Sequence, residues 1–337
     1  AVCFAARTSG ISGCECVCAA GGYGDTCLPA AVPDGLGPLP LPPPGVDDTE
    51  VRCVHGVSLG SVDYPDPGVR GLCFVNVTFT AAIVLDLWSF DAPQQTLNIT
   101  LLQCVLVGLS VRGSGARVHV NVTSSILYSG ELDFKDHFGG SSQILVVASR
   151  LVTTSSRAIV FVDFYLGEYS TLLLLENHIE GNGYAVYFSD TVVVDGGWII
   201  VKGNTLGTTK DDEGVESSVY VQGADVRNGG YFDVEDNKMS GANGIYFSDE
   251  TTVSSAGLLR VADCTFIGTA RFLNSALLYL DCSVTLEGGA QWRVEGNVAG
   301  AASVLSISYS WYKIKLSDSG TTVSLANNGH VCSRVSF

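Results

Sequence analysis

Charge and helix-forming side chains are in short supply in this 337-residue chain. Charged residues make up 15% of it, against roughly 25% in an average soluble domain, and there is 1 Met. Six lysines and six glutamines are too few straight-chain residues to cover the outer faces of a helical protein. Lys and Arg number 18 against 34 Asp and Glu, a formal charge of −16. That balance excludes nucleic acid, because phosphate binding needs basic residues in excess. A neutral glycan, a cationic ligand or a divalent metal stays compatible with it. Long apolar runs are also missing: the stretch from Ala81 to Trp88 is broken by Asp86, far short of the ~18 residues that span a bilayer. No membrane contact by this segment itself is expected. The chain starts at Ala1 without Met or a signal peptide, so we expect a piece of a longer chain whose targeting and anchoring signals lie in adjoining segments.

What is abundant is strand material. Hydrophobic residues reach 46%, with Val, Ile, Thr, Tyr and Phe frequent and 39 Gly punctuating them. Eleven Cys add a constraint. Cys3, Cys14, Cys16, Cys18 and Cys27 are clustered, and the others stand far apart at 53, 73, 104, 264, 282 and 332. The cluster's C-x-C-x-C spacing has no second spaced pair and no nearby His, which fits structural zinc poorly. Cys16 to Cys27 fits the closing half of an EGF-like module, C-x-C-x5-G-x2-C, with Cys14, Cys16, Cys18 and Cys27 as disulfide candidates. An odd Cys count fits a cut chain whose missing partner lies outside it. Asn76-Val-Thr, Asn98-Ile-Thr and Asn121-Val-Thr are N-glycosylation acceptors, and with the Cys cluster they indicate a secretory route. The plainer reading is that some of these Asn are strand or turn residues facing inward.

Most of the ten prolines fall between Pro29 and Pro44, a stiff extended spacer that cannot pair in a sheet. This divides the chain into an EGF-like Cys-rich remnant at 1–28, a Pro-rich linker at 29–50 and a repeat domain at 51–337. In the last, runs beginning at Ala158, Ala185, Ser218, Gly244, Ala276 and Ser303 share alternating apolar residues and are 27, 33, 26, 32 and 27 residues apart. A second strand in each unit ends at Asn177, Asn204, Asn237, Cys264, Asn297 and Asn327, with weaker copies near Cys104, Ser125 and Ser149. Strands and Gly turns at this period, without helices, fit a propeller or leucine-rich repeat worse than a β-helix. The expected fold is all-β: a right-handed parallel β-helix, a pectin-lyase-like solenoid, of about nine turns rising ~4.8 Å each. The recurring Asn is expected to stack in a hydrogen-bonded column at a bend, as a residue that tolerates the left-handed conformation.

The runs SILYSGELDF, GEYSTLLLLENHIEGN, GGWIIVKGNTLG, GGYFDVEDNKMSGANGIYFSDETTVSSAGLLRVADCTFIG and LEGGAQWRVEGNVAGAASVLS resemble the dispersed gene family of very large trypanosome surface proteins. Cys16 to Cys27 and the following LPAAVPD resemble that family's EGF-like spacer, so the resemblance covers nearly the whole chain. It implies an extracellular, glycosylated, membrane-anchored product of a multigene family, in which β-helical and Cys-rich segments alternate. It implies adhesion to host tissue and brings no catalytic residue with it.

Among possible sites, Asp163, Asp190, Asp249 and Asp281 each lie five residues after a strand start. Stacked carboxylates ~5 Å apart repel, which raises a pKa or recruits Ca2+. Polysaccharide lyases and hydrolases with this fold use such acids, and Lys202 and Arg260 are possible cationic partners. The column is imperfect, because after Ser218 the equivalent place holds Gly223. Asp also simply suits turns, and the chain is expected not to be an enzyme. Trp198, Tyr231 and Trp292, each after a Gly turn, are candidates for glycan stacking or for the core. His55, His119, His137, His178 and His330 form no metal pair, and neither a metal nor a cofactor is expected. The expected role is adhesion or antigenic display on the extracellular side of the plasma membrane, with host glycan or matrix protein as partner. The alternatives are a carbohydrate-active enzyme using the Asp column and a purely structural stalk.

Overall fold

The structure, a computed structural model, describes residues 51–60, 71–86, 96–113, 115, 117–138, 140–208, 216–268, 275–300, 303–307, 314–317 and 320–328. The chain divides into two units, Ala1–Val51 and Arg52–Phe337. The EGF-like remnant with Cys14, Cys16, Cys18 and Cys27, and the Pro-rich linker, lie outside the described residues.

All the described secondary structure is β, arranged in three parallel sheets. The first sheet has 11 strands: Val51–His55, Gly71–Val75, Thr96–Leu102, Arg117–Thr123, Gln143–Val147, Thr171–Leu175, Trp198–Lys202, Tyr231–Glu235, Leu258–Ala262, Gln291–Glu295 and Thr322–Ala326. After each of the first ten the chain makes a short strand in a 10-stranded second sheet, and from Ile83–Asp86 onward it then enters a third sheet before returning. Each circuit is one coil, numbered here by its first-sheet strand. The repeat marks pointed to nine turns. Coils 1 and 2 lie upstream of those marks because they carry Val57 and Val77 where later coils carry a small polar residue.

Alternation decides the core. In Thr96–Leu102 the residues Leu97, Ile99 and Leu101 are buried and their neighbours are not. Inward side chains from successive coils stack on one another: Phe134, Phe161 and Phe188 lie in register with ring centroids 5.4 and 4.8 Å apart.

The corner after the first sheet holds the most regular feature. One residue there has positive φ in every coil: Gly56, Asn76, Gln103, Ser124, Ala148, Glu176, Gly203, Asp236, Asp263, Gly296 and Asn327. From Val77 onward the next residue turns inward. Its side chain receives the backbone N–H of its counterpart one coil earlier: Cys104 N to Ser125 Oγ (3.1 Å), Ser125 N to Ser149 Oγ (3.1 Å), Ser149 N to Asn177 Oδ1 (2.9 Å), Asn177 N to Asn204 Oδ1 (2.8 Å) and Asn204 N to Asn237 Oδ1 (2.9 Å). The Asn column therefore exists, with two corrections. The left-handed residue is the one before each Asn, and the last member is Asn328, which receives Asn297 N at 3.0 Å, while Asn327 is the turn residue. The side chain at this position satisfies a buried backbone donor that the bend leaves without a ladder partner.

Cys73 is disulfide-bonded, whereas Cys104, Cys264 and Cys282 are buried free thiols.

Candidate functional site

The outer face of the first sheet gathers the most chemistry. In Tyr231–Glu235 the side chains of Phe232 and Val234 go inward, leaving Tyr231, Asp233 and Glu235 on the outside. Register brings Lys202 beside Glu235 and Arg260 beside Asp233. Lys202 Nζ donates to Glu235 Oε2 at 3.1 Å, and Arg260 Nη1 lies 3.1 Å from Asp233 Oδ2 and 3.3 Å from Glu235 Oε2.

These two carboxyls are displaced in opposite directions. Asp233 is 3% exposed and its Oδ1 has no hydrogen-bond partner. Burial is the largest influence and raises its pKa to about 6, with Arg260 opposing. For Glu235 burial acts the same way, but the hydrogen bonds and charges of Lys202 and Arg260 together outweigh it and hold the group below its ordinary value.

Trp198, 49% exposed, lies directly in register with half-buried Tyr231, so these two form an aromatic edge along the charged group. On the coil-5 side the same outer column continues as Leu145, Leu173 and Ile200, and on the other as Arg260 and Arg293. Arg293 donates to Gln291 Oε1 at 2.6 Å. Trp292 is not part of this face. It pairs with inward Leu259, is 0% exposed and belongs to the core, since its strand position has the opposite parity.

The four Asp candidates lie on the third-sheet side and do not form one column. Asp163 and Asp190 are exposed, have positive φ and follow the paired residues Val162 and Ser189, so they are neighbours at the same kink. Asp136 sits at that kink one coil earlier, and the sequence reading missed it although 163 − 136 and 190 − 163 both equal 27. In the next coil Gln222 intervenes, accepting the Asp190 N–H at 3.1 Å through Oε1. Exposed Asp249 donates its N–H to Gln222 O, and Asp281 donates its own to Phe247 O, one register step away. Among the described residues no ion pair joins Lys or Arg to these four; Lys202 and Arg260 are engaged on the first sheet instead. Asp281 Oδ2 accepts the Tyr246 hydroxyl at 2.9 Å.

Asn76 is exposed at the coil-2 corner. Asn98 and Asn121 face outward on the first sheet, Asn98 Oδ1 lying 3.1 Å from His119 Nδ1 and Asn121 Oδ1 accepting from Thr123 Oγ1. His178 Nε2 is 3.0 Å from Glu180 Oε1. Among the described residues no three His, Cys, Asp or Glu are grouped to hold a metal.

No protein-family model, no curated protein and no solved structure matches this chain.

Proposed function

We propose that this segment is a non-catalytic binding and display module of a cell-surface glycoprotein, a right-handed, pectin-lyase-like β-helix that engages host glycan or extracellular-matrix protein through the outer face of its first sheet. The observation that carries this is the Trp198–Tyr231 edge beside Lys202, Asp233, Glu235 and Arg260: aromatic rings that can stack on sugar next to paired donors and acceptors. Placement outside the plasma membrane, anchored by another part of a longer chain, follows from the sequons at Asn76, Asn98 and Asn121, the EGF-like remnant and the resemblance to the trypanosome dispersed gene family. A glycan and matrix-protein array tests it. Binding is expected, and Trp198→Ala should weaken it about tenfold. An array without a single hit leaves the rigid stalk as the function.

A second reading has its own support. Asp233 and Glu235, two carboxyls with pKa values pushed apart, are the arrangement that acid–base hydrolysis of a glycan uses. On this reading a carbohydrate-active enzyme works at the first sheet rather than at Asp163, Asp190, Asp249 and Asp281. Turnover of an array glycan that is lost in Glu235→Gln would establish it.

A further inference from the structure

The outside of the third sheet carries a feature that neither reading uses. Four successive coils place tyrosine in the same register: Tyr187, Tyr220, Tyr246 and Tyr279. Their ring centroids are 4.8, 5.4 and 5.2 Å apart and their planes within 5°, 17° and 10° of parallel. Tyr184 closes on the first two at 5.1 Å each. The column is bounded by Val160 before it and Ser306 after it, so it is confined to these coils.

The two ends of the stack differ in charge. At Tyr187 the Arg157 guanidinium lies 5.0 Å over the ring. Towards the other end Tyr246, 7% exposed, donates its hydroxyl to Asp281 Oδ2 at 2.9 Å, and Asp281 Oδ1 is buried without a hydrogen-bond partner. A ring that loses an electron becomes positive and its phenol strongly acidic. The cation disfavours that charge at Tyr187, whereas the carboxylate favours it at Tyr246 and stands ready to take the proton. Tyr220 instead donates to Ser248 Oγ, which cannot hold a proton at neutral pH.

We infer that the stack is an oxidation sink, in which Tyr246 gives up one electron to an external one-electron oxidant while its phenolic proton passes to Asp281. In this step the oxidant is reduced by one electron, the Tyr246 O–H bond breaks and an O–H bond forms on Asp281 Oδ2. The products are a neutral phenoxyl radical and a neutral carboxylic acid. A one-electron reductant reverses the step and the proton returns. An electron vacancy entering at any of the stacked rings moves along them to Tyr246.

The test oxidises the full chain with photogenerated tris(bipyridine)ruthenium(III), traps the product by rapid freezing, records the tyrosyl signal by electron paramagnetic resonance and maps oxidised residues by mass spectrometry. The expected result is a radical on Tyr246 whose yield is flat across neutral pH. Tyr246→Phe keeps the stack and should cut the yield severalfold. Asp281→Asn should cut it similarly at neutral pH and restore it only as alkali removes the phenolic proton, a profile that a merely structural Asp281 does not produce. Arg157→Gln should spread oxidation towards Tyr187. Equal yields in the parent and both acceptor-site variants, with oxidation falling on exposed Tyr169 and Trp198, overturn the inference. If Tyr246→Phe fails to fold by circular dichroism, the pH profile of Asp281→Asn decides alone.

Discussion

The first and third sheets are made by the same coils yet keep register in different ways. From Gly71–Val75 onward the first-sheet strands pair without a slip, and the corner that follows holds one left-handed residue and one inward side chain per coil. The third sheet shifts register between Lys135 and His137, between Val162 and Tyr165 and between Phe188 and Thr191, and from coil 8 it splits into separate strands such as Asn243–Phe247 and Thr251–Val253. The corner-to-corner repeat can therefore vary between 21 and 33 residues while the first sheet stays in register. The corner ladder is the ruler, and length is free elsewhere in the coil: third-sheet strands grow from Leu109–Arg112 to Tyr184–Asp195, and the longest coils add residues before Ser217–Arg227 and Ala276–Leu280.

The ladder should be the costliest place to cut. Asn204 accepts the N–H and Nδ2–H of Asn177 and donates to Leu174 O and Asn237 Oδ1. Asn204→Ala leaves buried donors and acceptors without partners and is expected to cost about 4 kcal/mol in urea unfolding. A loss no greater than at an exposed third-sheet turn would break the comparison.

A pH experiment on the first sheet comes next. The folded-state pKa of Asp233, about 6, lies above its ordinary value of 3.8. The native state thus holds a proton that the unfolded chain releases, so this group's contribution is full below 3.8 and is lost as pH rises through about 6. Asp233→Asn keeps the shape of the neutral acid. It should be more stable than the parent by roughly 2–3 kcal/mol at neutral pH, with no difference below the unfolded pKa, by thermal unfolding.

Restoring the ladder should have a smaller effect. Cys264 breaks the run of Asn, offering Asn237 Nδ2 only a sulfur at 4.0 Å. Cys264→Asn is expected to add about 1 kcal/mol by urea unfolding. The smallest effect belongs to the third sheet: Asp163, at φ 49, occupies a conformation glycine adopts freely, so Asp163→Gly should gain ~0.5 kcal/mol. A loss there would give Asp163 a structural duty and sharpen the contrast less.

The period, the strands and the polar column were legible because every coil repeats them. The one-residue offset at the corner was not, since Glu176, Asp236 and Asp263 look like ordinary surface residues and only their φ sets them apart. The first-sheet cluster was hidden for a different reason. Asp233 and Arg260 lie 27 residues apart and meet only through register, and alternation within Phe-Asp-Val-Glu puts both acids on one face. The Asp column failed at Gln222, where the third sheet slips and equal distance from a strand start no longer means equal height.

The thiols within this ladder have a consequence for the order of events during folding. Cys104 and Cys264 occupy column positions with their sulfurs against the backbone carbonyls of Phe74, Leu102, Val234 and Ala262, and burial raises both thiol pKa values, that of Cys264 to about 12. Once a coil is stacked, burial opposes formation of the thiolate that disulfide exchange requires. Before stacking, the same thiol is open to pairing with Cys73 or any other Cys. Coils that stack one after another as the chain emerges would seal Cys104 before Cys264 is made, whereas refolding from a fully unfolded chain exposes all of them at once.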